Sequence, residues 1–189
     1  ITTWTEVSKT DTHTGTCSRE GCGSIVENCT FNEEHVCTVC GGLEELYTIM
    51  GLSYADQKAK GVNLIPQMIS TGLPDIMMPV ASRADLAAIA PDFPALSKLS
   101  ERYEVVGVHA FTLDCEGDEV KTTCHVRNFA PLYDIDEEAA TGTSNGALTY
   151  YGYLNGFAQT GDDLKFIQGE KMGRPSAILT HIEADENGC

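Results

Sequence analysis

Between Arg127 and Leu154 the chain reads RNFAPLYDIDEEAATGTSNGALTYYGYL, and two chemistries are concentrated there. The first is that of carboxylates. Asp134, Asp136, Glu137 and Glu138 crowd one short loop, where a positioned acid can take or give a proton. The second is anion binding. Thr141-Gly142-Thr143-Ser144-Asn145-Gly146 supplies capping and small residues just before Ala147, Leu148, Tyr151 and Leu154, which recur at helical spacing. A helix is expected to start near Thr143 or Ser144. Its first amides lack intrahelical acceptors and the macrodipole puts partial positive charge at that end, so small residues there leave room for a carboxylate or phosphate. The plainer alternative is a capped surface helix beside a solvated acidic loop.

The elements that must position these residues are legible in outline. Val126 and Phe129 belong to an apolar run that stops at Pro131, which has no amide to continue a ladder, so a loop is expected from there. Upstream, Thr71-Gly72-Leu73-Pro74 reads as a turn before the apolar strand pattern of Ile76 to Val80. Ser82, with Asp85 three residues on, resembles a capping box, and its helix turns Leu86 and Ile89 inward before Pro91 ends it. Pro94 opens a second helix carrying Leu96, Leu99 and Tyr103. Val105 to Leu113 and Val120 to Phe129 read as neighbouring strands joined by the polar turn 114–118. Leu164 to Gln168 and Ala177 to Ile182 are expected as strands flanking the loop from Gly169 to Ser176. Strands and helices alternating around one apolar helix indicate an α+β lobe. Tyr150, Tyr151, Tyr153 and Phe157 are read as helix packing rather than a stacking surface. His109, His125 and His181 are read as satisfied sheet residues, and Cys115, Cys124 and Cys189 show no metal spacing.

Residues 1–45 differ in composition from 46–189, and the two stretches are expected to form a small cysteine-rich segment and the α+β lobe, with Gly41-Gly42 as the hinge. Five of the eight cysteines fall in the first stretch. Cys17-x4-Cys22-Gly and Cys37-x2-Cys40-Gly resemble the paired knuckles of a zinc ribbon, each pair closed by a glycine that lets the turn present two thiolates to one ion. Four cysteine ligands close a tetrahedral site, so such a zinc would be structural, and His35 is placed to replace one sulfur. Two disulfides, free thiols or a linker rich in Thr and Glu are the competing readings. A segment this short buries little apolar area and needs a staple if it folds.

The balance of charge excludes some partners. With 28 acidic against 12 basic side chains the formal net charge is −16, which argues against nucleic acid or an anionic membrane surface. No apolar run approaches the roughly 20 residues that span a bilayer. The expected compartment is the cytoplasm.

Three ordered motifs carry a resemblance to the PhzF-like isomerases, relatives of diaminopimelate epimerase. They are Ser70-Thr71-Gly72-Leu73-Pro74-Asp75, the unit from Arg127 to Gly146, and Gln168-Gly169-Glu170-Lys171-Met172-Gly173-Arg174-Pro175-Ser176. The resemblance covers about Gly51 to Ile182 and corresponds to the second half of such a protein. It implies a curved sheet around a central helix, a homodimer, and cofactor-independent proton transfer on a small carboxylate-bearing molecule. Carried over by position, the acid falls on Glu138 and a polarising hydroxyl on Thr143. Thr141, Gly142 and Ser144 would hold a substrate carboxylate, with Gly72 and Arg174 in loops facing the same cleft. Glu138, Ala139 and Thr143 stand where the family has Asp, Pro and Ser. The family's first-half motifs, S-E-T-A-F with its base and G-H-A with its histidine, are not found in residues 1–45, so this stretch alone is expected to be inactive. A non-catalytic anion binder and a cysteine-segment interaction module are the alternatives from other functional classes.

Overall fold

Central strands buried at nearly every position build a sheet with helices on both faces. The computed structural model describes residues 2–7, 12–17, 24–28, 40–118 and 121–183, with side chains from residue 42 onward in those ranges. Near the N-terminus β1 (Thr2–Val7), β2 (Thr12–Cys17) and β3 (Ser24–Asn28) form an antiparallel sheet in the order β1-β2-β3. The expected zinc site falls outside the described residues: Cys22 and Cys37 are not among them, and of Cys17 and Cys40 only the backbone is.

The remaining elements are α1 (Cys40–Ile49), α2 (Tyr54–Ala59), β4 (Gln67–Ser70), β5 (Pro74–Pro79), α3 (Arg83–Ala88) and α4 (Phe93–Arg102), then β6 (Gly107–Thr112) and β7 (Cys124–Ala130). After β7 come a 3-10 turn (Pro131–Tyr133), β8 (Ile135–Glu138), α5 (Gly142–Leu154), β9 (Asp163–Gln168) and β10 (Ser176–His181). Seven of these strands form one sheet in the order β10-β9-β7-β6-β5-β4, with β8 branching from β7. β5 and β6 run parallel, a pairing that needs a crossover, and α3 and α4 supply it. β6 and β7 form the antiparallel pair expected from their patterns. Along its other edge β7 is shared: Cys124 to Val126 pair in parallel with β9, while Asn128 and Ala130 pair antiparallel with β8. That fork aims one end of β7 at the acidic stretch.

Side chains alternate across each strand, so every central strand serves two cores. Ile76, Met78, Val108, Ala110 and Phe129 face α1, α3 and α4, where they meet Leu46, Tyr47, Leu86, Leu96 and Leu99. Met77, Phe111, Cys124, Val126 and Phe166 face α5 and meet Ala147, Leu148 and Tyr151. Local signals hold the helices in place. Ser82 accepts from the Asp85 amide (3.1 Å) and Asp92 from the Ala95 amide (3.0 Å), each satisfying an amide that the helix leaves without an acceptor. α5 begins at Gly142, close to the expected start. It touches β4 at one edge of the sheet and β10 at the other, through Asn155 to Gln67 (3.1 Å) and Thr149 to Thr180 (2.6 Å). A helix in contact with both edges requires the sheet to curve around it. Among the described residues no helix is long and apolar enough to cross a membrane.

Candidate functional site

The β8 strand decides what the acidic stretch does. Four residues, Ile-Asp-Glu-Glu, lack the apolar alternation that marks a strand, yet they pair with β7, Asn128 standing opposite Glu138. Alternation then sends neighbouring glutamates to opposite faces of the sheet. Glu137 meets Arg127 in a two-pronged ion pair, Nε to Oε1 and Nη2 to Oε2 both at 2.8 Å. The remaining guanidinium nitrogen donates to the carbonyls of Leu86 (3.0 Å) and Ile89 (2.8 Å) at the end of α3. Glu137 is thereby fixed as a structural charge. Glu138 faces the start of α5, half-buried, and its Oε2 accepts from the Thr141 hydroxyl at 2.8 Å.

That hydrogen bond has a second effect. Thr141 is the cap residue of α5, and with its hydroxyl turned to Glu138 no side chain caps the helix. The amides of Gly142, Thr143 and Ser144 occupy the first turn, where the helix supplies no acceptor. Gln168, fully buried, sets the geometry behind them. Its Nε2 donates to the Glu138 carbonyl (2.7 Å) and the Thr141 hydroxyl oxygen (2.9 Å), and its Oε1 accepts from the Thr141 amide (3.1 Å). Asn145 also bonds this Oε1 (2.9 Å) and the Thr141 carbonyl (2.7 Å). Gly169 follows with φ +83°, and a Cβ there would stand 2.3 Å from the Arg174 carbonyl oxygen and 2.8 Å from that of Ala139. Only glycine lets the β9–β10 loop pass this close to the residue after Glu138.

Below the helix start lies a buried layer. Ser144 donates its hydroxyl to Asp75 Oδ2 at 2.6 Å, while Asp75 Oδ1, equally buried, has no hydrogen-bond partner among the described residues. His109 is fully buried; its Nδ1 is 2.9 Å from Asn128 Oδ1, and its Nε2 is 3.4 Å from Asn145 Oδ1. Burial pushes the imidazole below its ordinary value, outweighing the hydrogen bond to Asn128 and the Asp75 charge. A neutral ring carries one N–H, and the shorter contact assigns it to Nδ1.

The expected residues fall around this point unequally. Glu138, Thr141, Gly142 and the exposed Thr143 lie together at the start of α5. Ser144 is expected to offer its amide or its hydroxyl to a substrate; the hydroxyl is engaged by Asp75, which leaves the amide. Gly72 is exposed with its amide on Ser70 Oγ (3.1 Å), and the adjacent Thr71 hydroxyl reaches the Thr143 carbonyl (3.2 Å), so the β4–β5 turn abuts the helix start. Arg174 stands exposed on the loop beside Ala139. Asp75, His109, Asn128, Asn145 and Gln168 were given no part in the site by sequence reasoning. Asp75, Asn145 and Gln168 sit inside the three motifs, and polar residues in otherwise apolar strands were the signal for His109 and Asn128. Of the tyrosine cluster, Tyr151 is fully buried with its ring 5.3 Å from that of Phe111, Tyr150 and Phe157 pack partly buried against the same core, and Tyr153 is exposed.

The family described as phenazine biosynthesis-like protein matches residues 30–188. An uncharacterized isomerase of Clostridium acetobutylicum is 31% identical over 123 residues, 64% of this chain and 40% of that protein. The trans-2,3-dihydro-3-hydroxyanthranilate isomerase of Pseudomonas chlororaphis is 27% identical over 176 residues, 88% of this chain and 57% of that protein. In fold, the chain is similar to the crystal structure of a PhzF-family phenazine biosynthesis protein from Bacillus anthracis, with a TM-score of 0.66 at 18% identity, covering 96% of this chain and 63% of that one. The chain thus spans about half the length of the curated relatives it matches. It belongs to the phenazine biosynthesis-like protein family.

Proposed function

We propose that this member of the phenazine biosynthesis-like family is one lobe of a cofactor-independent isomerase that moves a proton between carbon atoms of a small carboxylate-bearing molecule. The observation that carries the reading is the separation of two adjacent glutamates, Glu137 locked to Arg127 and Glu138 held at the uncapped start of α5. The amides of Gly142, Thr143 and Ser144 receive the substrate carboxylate, assisted by the helix dipole. The Thr143 hydroxyl polarises the bound group, and Glu138 takes or gives the proton. Thr71 ties the Gly72 turn to this point, and Arg174 adds a cation from the neighbouring loop. Glu138 is half open to water, and a proton shuttle needs a second acid or base on the other side of the substrate. Both requirements are met by a covering lobe outside these residues, in a homodimeric cytoplasmic enzyme.

The test is amide NMR on the full chain with trans-2,3-dihydro-3-hydroxyanthranilate, the compound named for the Pseudomonas relative, as probe. Shifts are expected at Gly142, Thr143 and Ser144, and they should vanish in Gly142→Phe. A Cβ at Gly142 meets nothing within 4 Å and the residue is exposed, so the replacement starts from open space; an unchanged fold in Gly142→Phe is checked by the remaining amide shifts. Unmoved amides in the native chain would overturn the carboxylate site. Solvent deuterium entering the probe with this chain alone, and lost in Glu138→Gln, would overturn the requirement for a second lobe.

A further inference from the structure

On the face of β7 away from α5, a second group of ligating side chains converges. Cys115 and Asp118 are the first and last residues of a turn closed by the Asp118 amide on the Cys115 carbonyl (3.3 Å), with Gly117 at φ +86° between them. His125, in β7, has only 3% of its side chain exposed. Its Nε2 stands 3.0 Å from Asp118 Oδ2 and its Nδ1 2.6 Å from Glu170 Oε2. The ligand atoms of Cys115, Asp118 and His125 all lie within 4.8 Å of one another.

The imidazole contacts pose a chemical demand. A ring that donates Nδ1–H to Glu170 turns the Nε2 lone pair toward a carboxylate oxygen, two acceptors face to face. Either a second ring proton, donated from Nε2 to Asp118, or a metal ion between the two atoms satisfies this contact. Arg83 does not fill that place, because its Nη1 holds the other oxygen, Asp118 Oδ1, at 3.0 Å, and its Nη2 goes to Glu170 Oε1. The Cys115 sulfur completes a set of one sulfur, one nitrogen and one oxygen around the gap.

We propose that Cys115, Asp118 and His125 bind one divalent transition-metal ion, zinc in the first place, with Glu170 as the residue that orients His125. Mixed sulfur, nitrogen and oxygen donors suit a borderline-soft ion. Zinc with bonds of about 2.0–2.3 Å holds its ligands roughly 3–4 Å apart, which asks only small adjustments of a turn. A carboxylate on the far ring nitrogen is the arrangement that fixes the tautomer of a ligating histidine. Three protein ligands leave a fourth position for water or a further ligand. Burial and the Asp118 charge push the free thiol up to about 11, so loading releases the thiol proton as the metal–sulfur bond forms.

The experiment titrates the full chain with Zn²⁺ and Co²⁺ alone. Cysteines in residues 1–40 are a second destination for metal, so the readout is the difference between the native chain and Cys115→Ser. Native mass spectrometry should show one metal fewer in Cys115→Ser and in Asp118→Asn, and the cobalt difference spectrum should carry a thiolate charge-transfer band. Glu170→Gln should keep the metal with a Kd about 10- to 100-fold weaker. A readout independent of any variant is the ¹⁵N spectrum of the His125 ring in the native chain, where zinc should move Nε2 far more than Nδ1. Equal metal content in the native chain and Cys115→Ser, or a His125 ring unmoved by zinc, would overturn the site.

Discussion

β7 carries two polar clusters of opposite character on its two faces. Toward α3 it presents His125 and Arg127, each met by carboxylates, Asp118 and Glu170 for the first and Glu137 for the second. Toward α5 it presents Asn128, which joins His109, Asn145 and Gln168 in a layer of neutral amides and one imidazole. His125 and Arg127 are as buried as His109 and Asn128, but the two clusters solve different problems. The charged cluster ties α3 and the β9–β10 loop to the sheet, with Arg127 answered by Glu137 and Arg83 by Asp118 and Glu170, because an unpaired buried charge would be costly there. The neutral cluster lies under a helix start that already carries partial positive charge, so carboxamides can fix the backbone of Thr141 without adding a cation. Its one carboxylate, Asp75, is held by the Ser144 hydroxyl in the first turn of that helix.

The sharpest way to break this contrast is at Arg127. Arg127→Met leaves Glu137 buried without a counter-charge and the Leu86 and Ile89 carbonyls without a donor, and should lower unfolding free energy in urea by about 3–5 kcal/mol. On the neutral face the loss should be smaller. Ser144→Ala removes the hydrogen bond to Asp75, whose other oxygen already lacks one, and should cost about 2–3 kcal/mol by the same measurement.

A third test uses acid. The folded value of His109 is lowered, so below the ordinary histidine range of about 6.5 the unfolded chain binds a proton that the folded chain refuses. Its contribution is therefore complete above that range and lost as pH falls, with a slope of at most about 1.4 kcal/mol per pH unit. His109→Gln should flatten this limb of a stability profile measured between pH 7 and 5. The smallest stability effect is expected at Glu138. Glu138→Gln should change unfolding free energy by no more than about 0.5 kcal/mol, because the side chain is half open to solvent. It should nonetheless abolish proton exchange once the covering lobe is present, and a large destabilisation would mean that Glu138 is structural like its neighbour.

What was legible in the chain follows the range of the interactions. The caps at Ser82 and Asp92 and the start of α5 rest on contacts three residues apart, so their residue types reveal them. β8 is not legible as a strand, because Ile-Asp-Glu-Glu has no strand pattern of its own and exists through its pairing with β7. Cys115 carries no metal signature along the chain because the spacing to Asp118 and His125 is irregular; the turn at Gly117 and the direction of β7 bring the three together.

By itself the sequence determined the α+β class, the helix start and its small residues, the acidic stretch and the three motifs of the family, all of them properties of neighbouring residues. Only the tertiary structure decided which glutamate faces the start of α5 and which is locked to Arg127, that Ser144 turns to an aspartate 69 positions away, and that His109 is buried among amides. The reason is strand pairing. A register fixes which face each side chain takes, and burial on that face then sets its partners and its charge.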